Sequence, residues 1–139
     1  MNPTAPAPKV ILVEDDELIR ELYQSELTNA GLEVDAFANG NSAIASLDQK
    51  TYDLALLDIM LPDTNGLTIL KHIKENPKTK DLKAVLLTNL GQESVIKEGF
   101  ALGAEGYLIK VSLNPDQVVQ EVKKFLQPEP QVQTQPQAA

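Results

Sequence analysis

Two short apolar runs in this chain break off abruptly into acid. Val10-Ile11-Leu12-Val13 ends in Glu14-Asp15-Asp16-Glu17, and Leu54-Ala55-Leu56-Leu57 ends in Asp58. Apolar runs of this length, bounded by charge, read as strands covered on both faces, which is how strands of parallel sheets are buried. In an open parallel α/β sheet, ligands bind at the edge formed by the C-terminal ends of the strands. Both runs therefore deliver carboxylates to the ligand edge. Carboxylates gathered there repel one another unless a proton or a cation intervenes, so the pattern asks for a hard metal ion.

The 139 residues suit one domain with a single sizeable core. There is no run of about eighteen apolar residues, so membrane insertion is not expected, and the start, Met1-Asn2-Pro3-Thr4-Ala5-Pro6-Ala7-Pro8, has no signal-peptide pattern. The absence of cysteine excludes disulfides, thiolate metal sites and a thiol nucleophile. A cytoplasmic setting is the expectation. The net charge of −8 disfavours direct binding to nucleic acid, which rewards basic patches. Residues 1–8 and 127–139 are rich in Pro, Gln and small residues and read as disordered tails around a domain spanning 9–126.

Between the tails, apolar runs alternate with segments of helical period. Strands are expected at Lys9–Glu14, Leu32–Phe37, Asp53–Asp58, Ala84–Thr88 and Gly106–Lys110. Helices are expected at about Asp16–Ala30, Asn41–Gln49, Thr64–Glu75, Gln92–Leu102 and Pro115–Leu126. In the first helix Leu18, Leu22 and Ala30 lie near Ile19, Tyr23 and Leu27 to give one apolar face, as Val118, Val122, Phe125 and Leu126 do in the last. Gly31 suits a left-handed C-cap, Asn41 an N-cap, and Pro115 a first helical turn after Asn114. Five βα units in succession predict an α/β fold with a doubly wound, five-stranded parallel sheet. Right-handed crossovers allow the flavodoxin-like order 2-1-3-4-5, which makes the first and third strands neighbours and sets Asp15 and Asp58 on one crevice.

Thr88 ends the fourth strand and Lys110 the fifth, so the acids, a hydroxyl and an amine converge on one edge. Asp58 with Pro62 and Gly66, the acidic pair, Thr88, Tyr107 and Lys110 together resemble the receiver domain of two-component response regulators, over residues 9–126. The resemblance implies a (βα)5 receiver fold with Asp58 as the phosphoacceptor, charged from a histidine kinase or a histidine phosphotransfer protein. It implies Mg2+ (or Mn2+) held by Asp15, Asp58 and the backbone carbonyl of Met60, with Glu14 acting through water. Lys110 would pair with the carboxylate and then the phosphoryl group. Thr88 would donate to a phosphoryl oxygen, and Tyr107 would carry the change to an output partner at the face made by the fourth helix, fifth strand and fifth helix. With no second domain read in this sequence, the expectation is a stand-alone switch, not an enzyme with separate substrate turnover.

The chemistry is consistent with this: an anionic nucleophile attacking an anionic phosphoryl group needs positive charge held in place. Asp16 is read either as a helix cap or as an accessory acid, since strand length favours Glu14 and Asp15 for the pair. His72, beside Lys71, reads as a solvated surface residue. Two departures from the family pattern stand out. Val111 follows Lys110 where proline is usual, which makes a trans loop the expectation. Asn89 follows Thr88 where a small residue is common, so its amide either narrows the phosphoryl pocket or hydrogen-bonds within it. Three other readings share features of this pattern. An aspartate-nucleophile phosphohydrolase needs a second Asp two residues after the first, where Met60 stands. A flavin module needs a phosphate-cradling first loop, which Glu14-Asp15-Asp16-Glu17 would repel. A degenerate receiver would not need Asp58, Thr88 and Lys110.

Overall fold

The computed structural model describes residues 6–89, 92–110 and 114–127. Along them run β1 (Lys9–Val13), α1 (Glu17–Asn29), β2 (Glu33–Phe37), α2 (Gly40–Gln49), β3 (Leu54–Asp58), α3 (Gly66–Glu75), β4 (Lys83–Thr88), α4 (Glu93–Ala101), β5 (Gly106–Ile109) and α5 (Pro115–Leu126). The five strands form one parallel sheet in the order β2-β1-β3-β4-β5. This is the expected doubly wound α/β architecture.

The sheet separates two cores. Odd-numbered residues of β1 and β3, with Ala84 and Leu86 of β4, pack with Ala43 and Leu47 of α2 and with Leu67, Ile69, Leu70 and Ile73 of α3. Even-numbered residues of β1 and β3, with Val85, Leu87 and Leu108, pack with Tyr23 and Leu27 of α1 and Val118 and Val122 of α5. Strands β1, β3 and β4 are interior, which is why their sequences are apolar at successive positions. Each fully buried leucine among them stabilises the fold by about 1.5–3 kcal/mol.

Several local expectations shift. The buried stripe of α1 is Tyr23 and Leu27 with partly buried Ile19. Leu18 and Leu22 do not join it: they are 75% and 44% exposed, because residues one position earlier on a helix are rotated by about a quarter turn from the stripe. Asn39, not Asn41, caps α2, its side chain accepting from the Ser42 N–H at 2.9 Å. Asp16 caps α1 by accepting from the Ile19 N–H at 3.0 Å. Gly31 follows the Ala30 C-cap with φ of 97°, the conformation expected there. Pro8, assigned above to a tail, already serves the sheet edge, since Glu33 N–H donates to its carbonyl at 2.9 Å. Of the expected tails, residues 1–5 and 128–139 lie outside the described residues.

Helix α3 starts hard against the end of β3. The Asn65 side chain caps it, accepting from Leu67 N–H at 2.7 Å, and Gly66 N–H donates to the Ile59 carbonyl at 2.8 Å. A Cβ on Gly66 would collide with the Asp58 carbonyl oxygen and stand 3.0 Å from Ile59 Cα. Both obstacles are backbone and cannot rotate away. Gly66→Ala should therefore cost the upper part of the usual overpacking range, about 2–3 kcal/mol, read as a lowered urea midpoint with an unchanged m-value.

Candidate functional site

Strand alternation decides which side chains meet. Counting by two from the Val10/Leu12, Leu54/Leu56 and Leu108 positions, all in the core beneath α1 and α5, Glu14, Asp58 and Lys110 fall on that same face at the C-terminal edge. There they form one ion cluster. Lys110 Nζ donates to Glu14 Oε1 at 3.0 Å and to Asp58 Oδ2 at 3.2 Å. Glu14 is fully buried and Asp58 only 4% exposed. The other oxygens are held by backbone: Asp16 N–H donates to Glu14 Oε2 at 3.0 Å, and Met60 N–H to Asp58 Oδ1 at 3.4 Å.

Asp15, one residue beyond the buried glutamate, is exposed. Glu14, Asp15 and Asp58 each present a carboxylate oxygen, all within 4.8 Å of one another. They line an open cleft of about 440 Å3 together with Asp16, Ile19, Met60, Asn89 and Lys110. Asp16 Oδ1 is occupied as the α1 cap, and Asn89 N–H donates to Gln92 Oε1 at 2.7 Å.

The electrostatics follow from crowding among buried charges. Burial first, then the Glu14 charge, pushes the Asp58 carboxyl up to about 7, against the opposing pull of Lys110. Burial would lower Lys110, but its hydrogen bond to Glu14 and the charges of Asp58 and Glu14 carry it above the ordinary lysine value. All-oxygen donors with surplus negative charge suit a hard divalent cation, and the residues present fit one.

Thr88 completes the edge from β4. It is 1% exposed, and its Oγ1 has no hydrogen-bond partner among the described residues. Buried hydroxyls are normally paired, so this one is an open donor at the strand end. Tyr107 pairs with Leu86 in the β4–β5 ladder, two positions before the Thr88–Ile109 pair. Its ring is 40% exposed and stands edge-on to Phe100 of α4, with centroids 6.1 Å apart at 82°.

Residues 10–123 match the family described as the response regulator receiver domain. The chain belongs to that family. It is 34% identical over 119 residues to the phosphate regulon transcriptional regulatory protein PhoB of Rhizobium meliloti (strain 1021), a match covering 86% of this chain and 52% of PhoB. Against the regulatory protein VanRc of Enterococcus gallinarum the identity is 38% over 118 residues, covering 85% and 49%. The chain thus spans about half the length of the curated relatives it matches. Among solved structures, the chemotaxis response regulator CheY4 of Vibrio cholerae superposes with a TM-score of 0.80 at 28% identity, covering 86% of this chain and 98% of CheY4. The BeF3-activated DrrB receiver domain gives 0.74 at 32%, covering 86% and 97%.

As a response regulator receiver, the domain is a regulatory phosphoacceptor of two-component signalling, and receivers bind Mg2+ at an acidic pocket and interact with histidine kinases or phosphotransfer proteins. The fold brings Glu14, Asp15, Asp58, Met60, Asn89 and Lys110 to one cleft, with Thr88 at the neighbouring strand end; Tyr107 lies outside that lining, near the start of β5. Val111 and the next two residues of its loop lie outside the described residues, as does the peptide that replaces the usual proline bond. Sequence reasoning missed Arg20, whose Nη1 donates to the carbonyls of Glu14 at 3.0 Å and Asp15 at 3.3 Å. Its signal was only its place one helical turn beyond the acids. It also missed the bond between His72 Nε2 and Asp48 Oδ1, 2.9 Å long, which joins α3 to α2.

The raised Asp58 carboxyl has a stability consequence in metal-free protein. Its folded-state pKa lies above the unfolded value, so its contribution is fully present below about pH 4 and is lost as pH rises through about 7. Asp58→Asn, which removes the charge, should be close to neutral at pH 4. At pH 8 in EDTA it should stabilise the fold by at least about 1.4 kcal/mol, the equivalent of one pKa unit, measured by urea unfolding at both pH values.

Proposed function

We propose that this receiver takes a phosphoryl group on Asp58 and passes the change to a protein partner through Thr88 and Tyr107. The observation that carries the reading is the single buried cluster in which Lys110 bridges Glu14 and Asp58, with the Thr88 hydroxyl, unpartnered among the described residues, at the end of the adjacent strand. A carboxylate oxygen of Asp58 attacks phosphorus in line. The P–N bond of a phosphohistidine, or the P–O bond of an acyl phosphate, breaks with its electron pair leaving on the donor, which takes a proton from solvent. The product is a mixed anhydride on Asp58. Asp15, Asp58 and the Met60 carbonyl, with Glu14 behind, would hold Mg2+ (or Mn2+), which would supply charge neutralisation for the transferring group.

Lys110 exchanges its Asp58 contact for a phosphoryl oxygen while keeping Glu14, and Thr88 donates its free hydroxyl to another. Phosphorylation adds about −1.5 to −2 charge, which draws Lys110 and Thr88 toward the phosphoryl group. Movement of Thr88 at the end of β4 opens room on the sheet face that Tyr107 shares, so the ring leaves Phe100 and the surface of α4, β5 and α5 changes. The phosphodonor approaches over the cleft mouth, where Met60 is 66% exposed and the neighbouring α1 carries exposed Leu18 and Leu22. The curated relatives are named as transcriptional regulators, and one as DNA-binding. For this receiver, with its net charge of −8, the output proposed is a protein contact, not direct nucleic acid binding.

Two outcomes test the reading. Intact mass after incubation with acetyl phosphate and Mg2+ should show a single phosphoryl adduct, absent in Asp58→Asn; an adduct surviving in that variant would reject Asp58. Sustained release of phosphate from a phosphomonoester would instead favour a phosphohydrolase. In the second test, Thr88→Ala should still accept the phosphoryl group, since attack depends on Asp58, Lys110 and the cation. It should lose the amide chemical-shift changes over residues 92–102 and Tyr107 that wild type shows with a phosphoryl mimic. Full shift changes in the variant would remove Thr88 from the switch.

A further inference from the structure

The turn that follows Asp58 is anchored to a helix that has no residue in the cleft. Met60 and Asn65 form an antiparallel bridge, and Leu61 N–H donates to the Thr64 carbonyl at 3.3 Å. Met60 thus lies on one arm of a tight turn, and Asp63 lies in its loop. The Asp63 carboxylate reaches across to the start of α2. Its Oδ1 accepts from Gly40 N–H at 2.8 Å and its Oδ2 from Asn41 N–H at 2.9 Å. The next amide, Ser42, is already taken by Asn39. Helix α2 therefore has a cap of its own, and Asp63 adds a second from a separate loop.

The approach is close by construction. A Cβ on Gly40 would collide with Thr64 Cγ2 and stand 3.5 Å from Asp63 Oδ1. A carboxylate on two backbone amides at a helix N-terminus is favoured by charge-assisted bonding and by the helix dipole. The Gly40 amide, then the Asn41 amide, hold the Asp63 carboxyl below the usual carboxylate range. Two bonds to two atoms fix the orientation of the turn as well as its distance. Mg2+ demands near-ideal octahedral geometry, so a backbone ligand on a loosened arm weakens binding even where the fold survives.

We propose that Asp63 is a positioning residue for the phosphoacceptor site: by clamping the β3–α3 turn onto the N-terminus of α2, it sets the arm that carries the Met60 carbonyl. This rests on the phosphoacceptor reading above. The test is Mg2+ titration of the full chain by amide NMR, with urea unfolding in parallel. Asp63→Ala should weaken Mg2+ binding about ten-fold, the scale typical of groups that orient metal ligands. Asp63→Asn keeps one acceptor and should fall between, and it replaces Asp63→Ala if that variant does not fold. Asn39→Ala removes the helix's own cap and should lower the urea midpoint while leaving Mg2+ affinity at the wild-type value. Unchanged Mg2+ affinity in the Asp63 variants, or an equal loss in Asn39→Ala, would reduce Asp63 to a helix cap and overturn the proposal. Asp15→Asn gives the reference for a lost ligand. A wild type that binds no Mg2+ would instead bring down the phosphoacceptor reading, and the proposal with it.

Discussion

Lys110 sits between two buried carboxylates, and the rest of the C-terminal edge is arranged around that contact. Two negative charges and one positive leave one charge in excess before Asp15 is counted. Buried ion pairs of this kind add little net stability, because desolvation offsets the attraction, yet removing the one cation would leave two buried carboxylates uncompensated and is costly. The cluster therefore reads as a device for function. The surplus charge is least tolerated on Asp58, whose carboxyl is pushed up to about 7, so the proposed nucleophile is the group that a proton, a cation or a phosphoryl transfer affects most.

The scaffold makes that cluster reproducible. Glu14 and Asp58 sit at or just past the end of interior strands buried on both faces, so their Cα positions are fixed by the two cores, and Lys110 follows the edge strand β5, which is laddered to β4. The backbone supplies the remaining constraint: the Asp16 amide holds one Glu14 oxygen, Met60 N–H approaches Asp58, and Arg20 ties down the carbonyls of the acidic pair. Catalytic-grade placement then comes from rigid strands, while the loops carry groups that adjust.

The side proposed to switch is built differently. Thr88 is buried but unpartnered among the described residues, and Tyr107 on the edge strand β5 rests on Phe100 with much of its ring in solvent. An edge-to-face aromatic contact is worth only about 0.5–1.5 kcal/mol beyond area burial. In the proposed switch, a movement at the end of β4 would be enough to release it while the interior strands stay in place.

Much of this was legible in the order of residues. Apolar runs with no polar alternation identified β1, β3 and β4 as interior strands, and the acids, Thr88 and Lys110 at the run ends marked the edge where they meet. The period-two alternation also carried the shared face of Glu14, Asp58 and Lys110. What the sequence could not decide depends on contacts between segments distant along the chain. Leu18 and Leu22 have the spacing of core residues, but only the docking angle of α1 leaves them in solvent. Asn41 looked like a cap until the Asp63 carboxylate took its amide and Asn39 capped in its place. The rise in the Asp58 carboxyl comes from burial and a neighbour in another strand, and no local pattern encodes either. Local propensity and alternation are written residue by residue; burial, long-range capping and charge coupling exist only once the sheet has brought the segments together.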